Sequence, residues 1–214
     1  MNEIGIEEWQ LKPVIQAIIE VCQIANISGS IKLRDLGVWR ANNYLTGSKL
    51  EPYKSMDWYI SEGTRFSEKR GQLNADRILN LCNEDRWQID ERHYKVMILK
   101  SDMYAEDTNF IIGYAVEGMG TIISINRFLS LDQAIQKECI KTETMHELGH
   151  VFGLINKNRN QAVKYELGKH CANKCVMRQG LRVPEDWIRI TQDRLKNGPF
   201  CNLCKEELIT YFKN

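Results

Sequence analysis

Two histidines one helical turn apart, with a glutamate beside the first, are the residues of this chain best suited to chemistry: His146-Glu147-Leu148-Gly149-His150. In a helix each residue advances about 100°, so His146 and His150 project from the same face. Two imidazoles so placed can both reach one Zn²⁺ at about 2.0–2.1 Å. Glu147 stands close enough to take a proton from a zinc-bound water. Gly153 follows three residues after His150. A helix must stop there if a third ligand is to swing back to the metal, and glycine ends a helix cheaply because it tolerates a left-handed backbone. The plainer alternative is an amphipathic helix with two surface histidines.

The chain holds 4 histidines, and the third of the cluster is His170, followed directly by Cys171. Cys175, Met177, Cys201 and Cys204 come after it. The pairs Cys171-x₃-Cys175 and Cys201-x₂-Cys204 have the spacing of a closed, four-thiolate structural zinc site. Buried free thiols or disulfides are the alternative. The expectation is two zincs per chain: an open site on His146, His150 and His170, and a closed one on Cys171, Cys175, Cys201 and Cys204.

These motifs resemble those of the archaemetzincins, a branch of the metzincin zinc peptidases. The resemblance takes in His146 to Gly153, His170-Cys171, Cys175-Val176-Met177 and Cys201-x-x-Cys204. Upstream it includes Arg70 to Ala75, Asp102-Met103-Tyr104, Asn109-Phe110 with Gly113, and Ser124 to Phe128. It spans roughly Met56 to Cys204. The chain departs from the family where a metzincin puts its third ligand, three residues after the glycine: that position is Asn156, and an insertion, Asn156 to Lys169, precedes His170. The first cysteine spacing looks one residue short, the stretch from Met177 to Cys201 looks lengthened, and Gln179 stands where some metzincins have tyrosine. Asn156 is a weak zinc donor, a neutral amide, so His170 is the expected third ligand.

The resemblance implies an α/β, metzincin-like zinc-peptidase fold: a mixed sheet, an active-site helix and a smaller C-terminal half stabilised by zinc. It implies a single metallopeptidase domain over residues 1–214, with sub-domains of about 1–154 and 155–214 and the zinc cleft between them. Met177 would form an apolar floor beneath the histidines, which is compatible with plain core packing. The strand Gly120 to Asn126 would be an edge strand that pairs with extended substrate; an ordinary interior strand is the equal alternative.

Composition fits an intracellular enzyme. The 214 residues suffice for one generous domain, 43% hydrophobic content supports a core, and 27% charged residues give a soluble surface. A net charge of +1 makes no electrostatic case for nucleic acid or a membrane surface. No apolar run approaches the roughly 20 residues of a membrane span, and the start, Met1-Asn2-Glu3-Ile4, is not a secretory signal. Cys22, Cys82 and Cys139 each sit in an apolar helical pattern and read as buried thiols in a reducing compartment, the cytoplasm. The partner expected is a peptide or protein substrate, with no nucleic acid and no membrane, and the chain is expected to be a monomer.

Periodicity places these residues on elements. Leu11 to Cys22 repeat at helical spacing, with Pro13 suggesting a start near it. Met56 to Ile60 is a candidate strand, and Leu73, Ile78, Leu79 and Cys82 mark a second helix. Tyr94 to Leu99, Phe110 to Tyr114 and Thr121 to Ile125 read as strands. Leu131 to Leu154 is the helix carrying the two histidines, entered through Ser130 or Asp132. Pro184 to Lys196, with Gly198 beyond it, and Leu203 to Phe212 are the last helices.

Other residues invite weaker readings. His93, between Arg92 and Tyr94, reads as a surface histidine. Asp102 and Tyr104 orient the zinc ligands, line the cleft or shape a turn, the turn being the better fit, and Cys139 reads as a buried thiol. Lys157, Arg159, Lys164 and Lys169 make the insertion weakly basic, as a solvated loop or a lid over anionic substrates. The function expected is zinc-dependent hydrolysis of peptide bonds by a zinc-bound water, with Glu147 as general base. A non-catalytic zinc-stabilised module that binds peptides on the same fold is the alternative, and hydrolysis of a non-peptide amide a third. The intact Glu147 favours the enzyme, because a binding module has no need of it.

Overall fold

The computed structural model describes residues 1–38, 55–84, 93–106, 108–156, 158–165 and 168–213. Arg92 and Lys157 lie outside them. The chain divides into two compact units. One comprises Met1–Ile6, Leu33–Ala115 and Met119–Asn126; the other comprises Glu7–Lys32, Val116–Gly118 and Arg127–Asn214. The division therefore differs from one near residue 154, because the helix bearing the two histidines packs with the N-terminal helix and the C-terminal segments.

The first unit is built on helix α2 (Met56–Arg65), strand β1 (Leu73–Asn74), helix α3 (Ala75–Asn83) and strands β2 (Lys95–Leu99), β3 (Met103–Tyr104), β4 (Gly113–Val116) and β5 (Gly120–Ser124). Met56 to Ile60 is thus helical, not a strand. Its buried positions, Met56, Tyr59 and Gly63, follow a spacing of three and four, which only a helix puts on one face. Ser55 caps this helix by accepting from the Trp58 N–H at 3.1 Å. Asn74 does the same for α3 through the Arg77 N–H at 2.9 Å.

The three-stranded sheet has the order β2-β5-β4. Strand β5 runs parallel to β2, from Lys95↔Gly120 to Leu99↔Ser124. All five of its residues are buried, as expected of a strand flanked on both sides. Of the two readings open for this strand, the structure shows the interior one, and β4 takes the outer place. A second pair, β1 with β3, is also parallel. Asp102 and Tyr104 serve structure here: Asp102 accepts from Gln72 Nε2 at 3.0 Å, and the Tyr104 hydroxyl from the Glu68 N–H at 2.7 Å. His93, ahead of β2, is half-buried.

The second unit contains α1 (Glu8–Ile24), α4 (Gln133–Val151), strands β6 (Ala162–Tyr165) and β7 (Gly168–Cys171), α5 (Glu185–Asn197) and α6 (Asn202–Tyr211). Helix α1 begins upstream of Pro13 because Gln10 Oε1 accepts the Glu7 N–H at 2.9 Å and closes the first turn. The proline then removes one helical hydrogen bond without ending the helix.

Helix α4 is the axis of this unit. It packs on α1, with Lys141 Nζ 2.7 Å from Glu20 Oε2. On α5, the buried Arg194 donates from Nε to Thr142 Oγ1 at 3.0 Å and pairs with Glu138. Cys139 lies buried there, with the Thr191 hydroxyl 3.7 Å from its sulfur. The insertion forms an antiparallel hairpin of β6 and β7, in which Val163 faces His170 and Ala162 faces Cys171. Among the described residues no helix is long and apolar enough to cross a membrane.

Helices α2 and α3 meet at Gly63 and Ile78. A Cβ at Gly63 would lie 2.5 Å from Ile78 Cδ1. Gly63→Ala should cost about 1–3 kcal/mol by overpacking, read from urea unfolding. In an Ile78→Ala background the same change should cost clearly less. Equal costs in both backgrounds would mean that the two helices do not meet at this point.

Candidate metal centres

Helix α4 holds His146 and His150 on one face, and strand β7 delivers His170 to them. Their ligand nitrogens lie within 4.8 Å of one another. The Nε2 atoms of His146 and His150 are 3.2 Å apart. A tetrahedral ion with Zn–N bonds of about 2.0–2.1 Å has N···N edges of about 3.3–3.4 Å, so this pair already has the separation zinc requires. His170 stacks on His146 at 5.2 Å between ring centroids and meets His150 edge-on at 5.0 Å.

The outer nitrogen of His146 is committed as a metal ligand requires. His146 Nδ1 donates to the Val176 carbonyl at 2.6 Å, which leaves the Nε2 lone pair for an ion. His170 Nδ1 lies 3.4 Å from the Gly168 carbonyl. Burial keeps all three rings neutral: His146 is held well below the usual imidazole range, His150 is lowered to about 3 and His170 to about 4. The neighbouring histidines add to the effect on His146 and His150.

Asn156 points elsewhere. Its Nδ2 donates to Glu207 Oε1 at 2.9 Å, and its Oδ1 accepts the Asn158 N–H at 3.0 Å. Met177 packs against the histidine helix, for a Cβ on Gly149 would overlap its Sδ. Glycine at the fourth position of the HExxH motif is what lets the sulfur approach. The Met177 carbonyl accepts the Cys171 N–H at 2.8 Å, tying this turn to β7. Glu147 sits within α4, 5% exposed.

The four cysteines form the second cluster. The sulfurs of Cys171 and Cys201 are 3.8 Å apart, as are those of Cys175 and Cys204. No disulfide fits such a distance. A tetrahedron with Zn–S bonds of about 2.3 Å has edges of about 3.8 Å, so the separation suits four thiolates around zinc. Cys171 is drawn down to about 2 by hydrogen bonds from Cys175 and Cys204, while Cys175 is pushed up to about 12 by Cys171.

Four contributors escaped the sequence reading. The Val176 carbonyl orients His146 through backbone that no motif marks. Trp187 meets the same ring edge-on at 5.2 Å. Arg159 is no solvated loop residue: its side chain is 5% exposed and lies against the cysteines. Glu143 is a fully buried carboxyl one turn before Glu147. Spacing alone could have found the last, since Glu143 and Glu147 share a helix face.

Residues 61–210 match the model of peptidase family M54. The archaemetzincin of Archaeoglobus fulgidus is 36% identical over 144 residues, which are 67% of this chain and 72% of that protein. The one from Methanopyrus kandleri is 32% identical over 146 residues, 67% and 69% of the two chains. Among solved structures, the Methanopyrus kandleri archaemetzincin superposes with a TM-score of 0.53 at 25% identity, covering 74% of this chain and 86% of that one. The Archaeoglobus fulgidus archaemetzincin has a TM-score of 0.54 at 19% identity, covering 96% of each chain, a likeness of fold. The chain is by class a zinc metallopeptidase of α/β fold. It belongs to the archaemetzincins, peptidase family M54.

Glu143 supplies a pH test. Burial first, and then the Glu147 carboxyl beside it, push its pKa well above the usual range. The folded chain keeps this proton at a pH where the unfolded chain, with a glutamate pKa of about 4.3, has lost it. Stability therefore falls as pH rises. Glu143→Gln cannot ionise in either state. Its unfolding free energy relative to the parent should climb as pH rises above about 4.3, by up to about 1.4 kcal/mol per pH unit, read from thermal melts. A constant difference would contradict a protonated Glu143.

Proposed function

We propose that this chain hydrolyses peptide bonds in peptide or protein substrates with two zinc ions bound. His146, His150 and His170 hold the catalytic ion, Cys171, Cys175, Cys201 and Cys204 hold a structural one, and Glu147 is the general base. The observation that carries this reading is the convergence of three neutral imidazoles, two buried and one half-buried, whose ligand atoms lie within 4.8 Å of one another. It stands beside an HExxH glutamate in a chain of the M54 family. The four sulfurs at zinc-like separations support the second ion.

Bound zinc supplies a Lewis acid for the scissile carbonyl and lowers the pKa of a water molecule to about 7. The chain's residues do the rest. The imidazoles present neutral lone pairs, with His146 fixed in its tautomer by the Val176 carbonyl. Glu147 takes the proton of the attacking water as the C–O bond forms, then returns it to the amide nitrogen as the C–N bond breaks. Met177 and Gly149 together keep an apolar floor beneath the rings. The buried thiols Cys22, Cys82 and Cys139 support a reducing compartment, the cytoplasm.

Glu147→Ala deletes the base and no ligand. With a peptide that the unmutated protein cleaves, the variant should retain zinc and fold while losing about 10²–10⁴-fold in rate. Cleavage at the unmutated rate would overturn the role of Glu147. If the unmutated protein binds peptides from a library but cleaves none, the binding-module alternative is the correct one.

Cys171→Ser tests the link between the sites, because His170 precedes Cys171 on β7. It should weaken zinc binding at the histidines, although that side chain belongs to the other cluster. Asn156→Ala should leave that affinity within about 2-fold, since second-shell losses are typically about 10–100-fold where a ligand is truly oriented. The reverse pattern, measured by competition with a zinc chelator, would make Asn156 the ligand.

A further inference from the structure

Arg159 lies in the insertion that separates this chain from the family pattern, and it reaches the cysteines by the register of the hairpin. Ala162 pairs with Cys171, and the Ala172 N–H donates to the Gln161 carbonyl at 3.3 Å, continuing the ladder. Following that register back from Ala162 brings residue 159 level with the loop between Cys171 and Cys175. There the guanidinium enters the cluster. Nη2 is 2.9 Å from Cys171 Sγ and 3.7 Å from Cys201 Sγ, and Nη1 is 3.2 Å from Cys204 Sγ. Nη1 also lies 3.1 Å from Glu207 Oε2.

Asn173 also donates to the cluster, 3.4 Å from Cys171 through its N–H and 3.4 Å from Cys201 through Nδ2. Among these, Arg159 is the charged donor, and it alone reaches Cys204. Glu207 cancels its net charge at a distance, so the guanidinium acts directionally. Glu207 is itself anchored by the Ile155 N–H at 2.8 Å and by Asn156 Nδ2. These contacts set the fork in place before it meets sulfur.

A thiolate on zinc keeps lone pairs that the metal does not use. Protons, chelating exchange and electrophiles attack there. A charged N–H on such a lone pair lowers its reactivity and is stronger than a neutral hydrogen bond. We propose that Arg159, carried in by the insertion, is the cap of the four-cysteine site: it donates N–H···S bonds to Cys171 and Cys204, slows loss of the structural zinc and shields its thiolates. The inference rests on the four-cysteine zinc reading above. It gives the inserted hairpin a task of its own, holding the metal centre next to which His170 is displayed.

The test uses the zinc-loaded full chain. Arg159→Gln, Arg159→Lys and, as a control on the exposed face of the same hairpin, Lys164→Gln are mixed with excess chelator, and zinc release is followed with a chromogenic indicator. Second-shell partners typically change metal affinity about 10–100-fold. Arg159→Gln should release its cysteine-bound zinc faster by a factor in that range, and iodoacetamide should label Cys171 and Cys204 faster by mass spectrometry. Arg159→Lys keeps charge without the fork and should fall between. With cobalt in the cysteine site, Arg159→Gln should shift the sulfur-to-cobalt charge-transfer band to lower energy, which a purely structural role would not do. Lys164→Gln should match the parent throughout. Parent-like release, labelling and cobalt spectrum in Arg159→Gln would overturn the cap. A parent with no zinc on the cysteines would instead overturn the four-cysteine reading beneath it.

Discussion

Consecutive residues of a β-strand point to opposite faces. His170 and Cys171 are consecutive on β7, so one strand shows an imidazole to one cluster and a sulfur to the other. Much of the second unit answers to this constraint. The hairpin partner β6 fixes the register of the strand. The Met177 carbonyl holds the Cys171 N–H, and the adjacent Val176 carbonyl holds the His146 ring. One short stretch of chain thus braces both clusters through its backbone. The loop that supplies the third histidine is longer than in the family pattern, but loop closure costs only as the logarithm of length. The hairpin and the cysteines remove that slack.

The histidine helix carries the opposite burden. From Thr142 to Gly149 every residue of α4 is buried, including two carboxyls and an imidazole. Buried polar groups are tolerable only where each has a partner or gives up its charge. His146 donates its Nδ1–H to a carbonyl, and Glu143 keeps its proton. Gly149 leaves the room into which Met177 fits. These compromises mark α4 as a helix shaped around chemistry, since an apolar sequence would pack the same space at lower cost.

Residue type and spacing made the site more legible than the fold. HExxH, the histidine joined to a cysteine and the paired cysteines each declare a ligand geometry, and the structure brings both sets together. Met56 to Ile60 deceived because Met56, Trp58 and Ile60 alternate like a strand. Ser55 as a cap and the spacing of Met56, Tyr59 and Gly63 were the better signals. Pro13 misplaced the start of α1 because a cap upstream outweighed one missing hydrogen bond. The interior place of β5 depends on which strands lie beside it, a long-range fact that local pattern does not hold. Arg159 and the Val176 carbonyl act through hairpin register and backbone direction, and neither has a signature in residue type.

The central claim is that one strand serves two zinc sites. A crystal structure with anomalous scattering measured at the zinc edge tests it most directly. Two zinc peaks per chain are expected, with a His170 nitrogen about 2.0–2.1 Å from one and Cys171 Sγ about 2.3 Å from the other. A single peak, or His170 more than about 3 Å from the zinc that His146 and His150 hold, well outside any Zn–N bond, would contradict it.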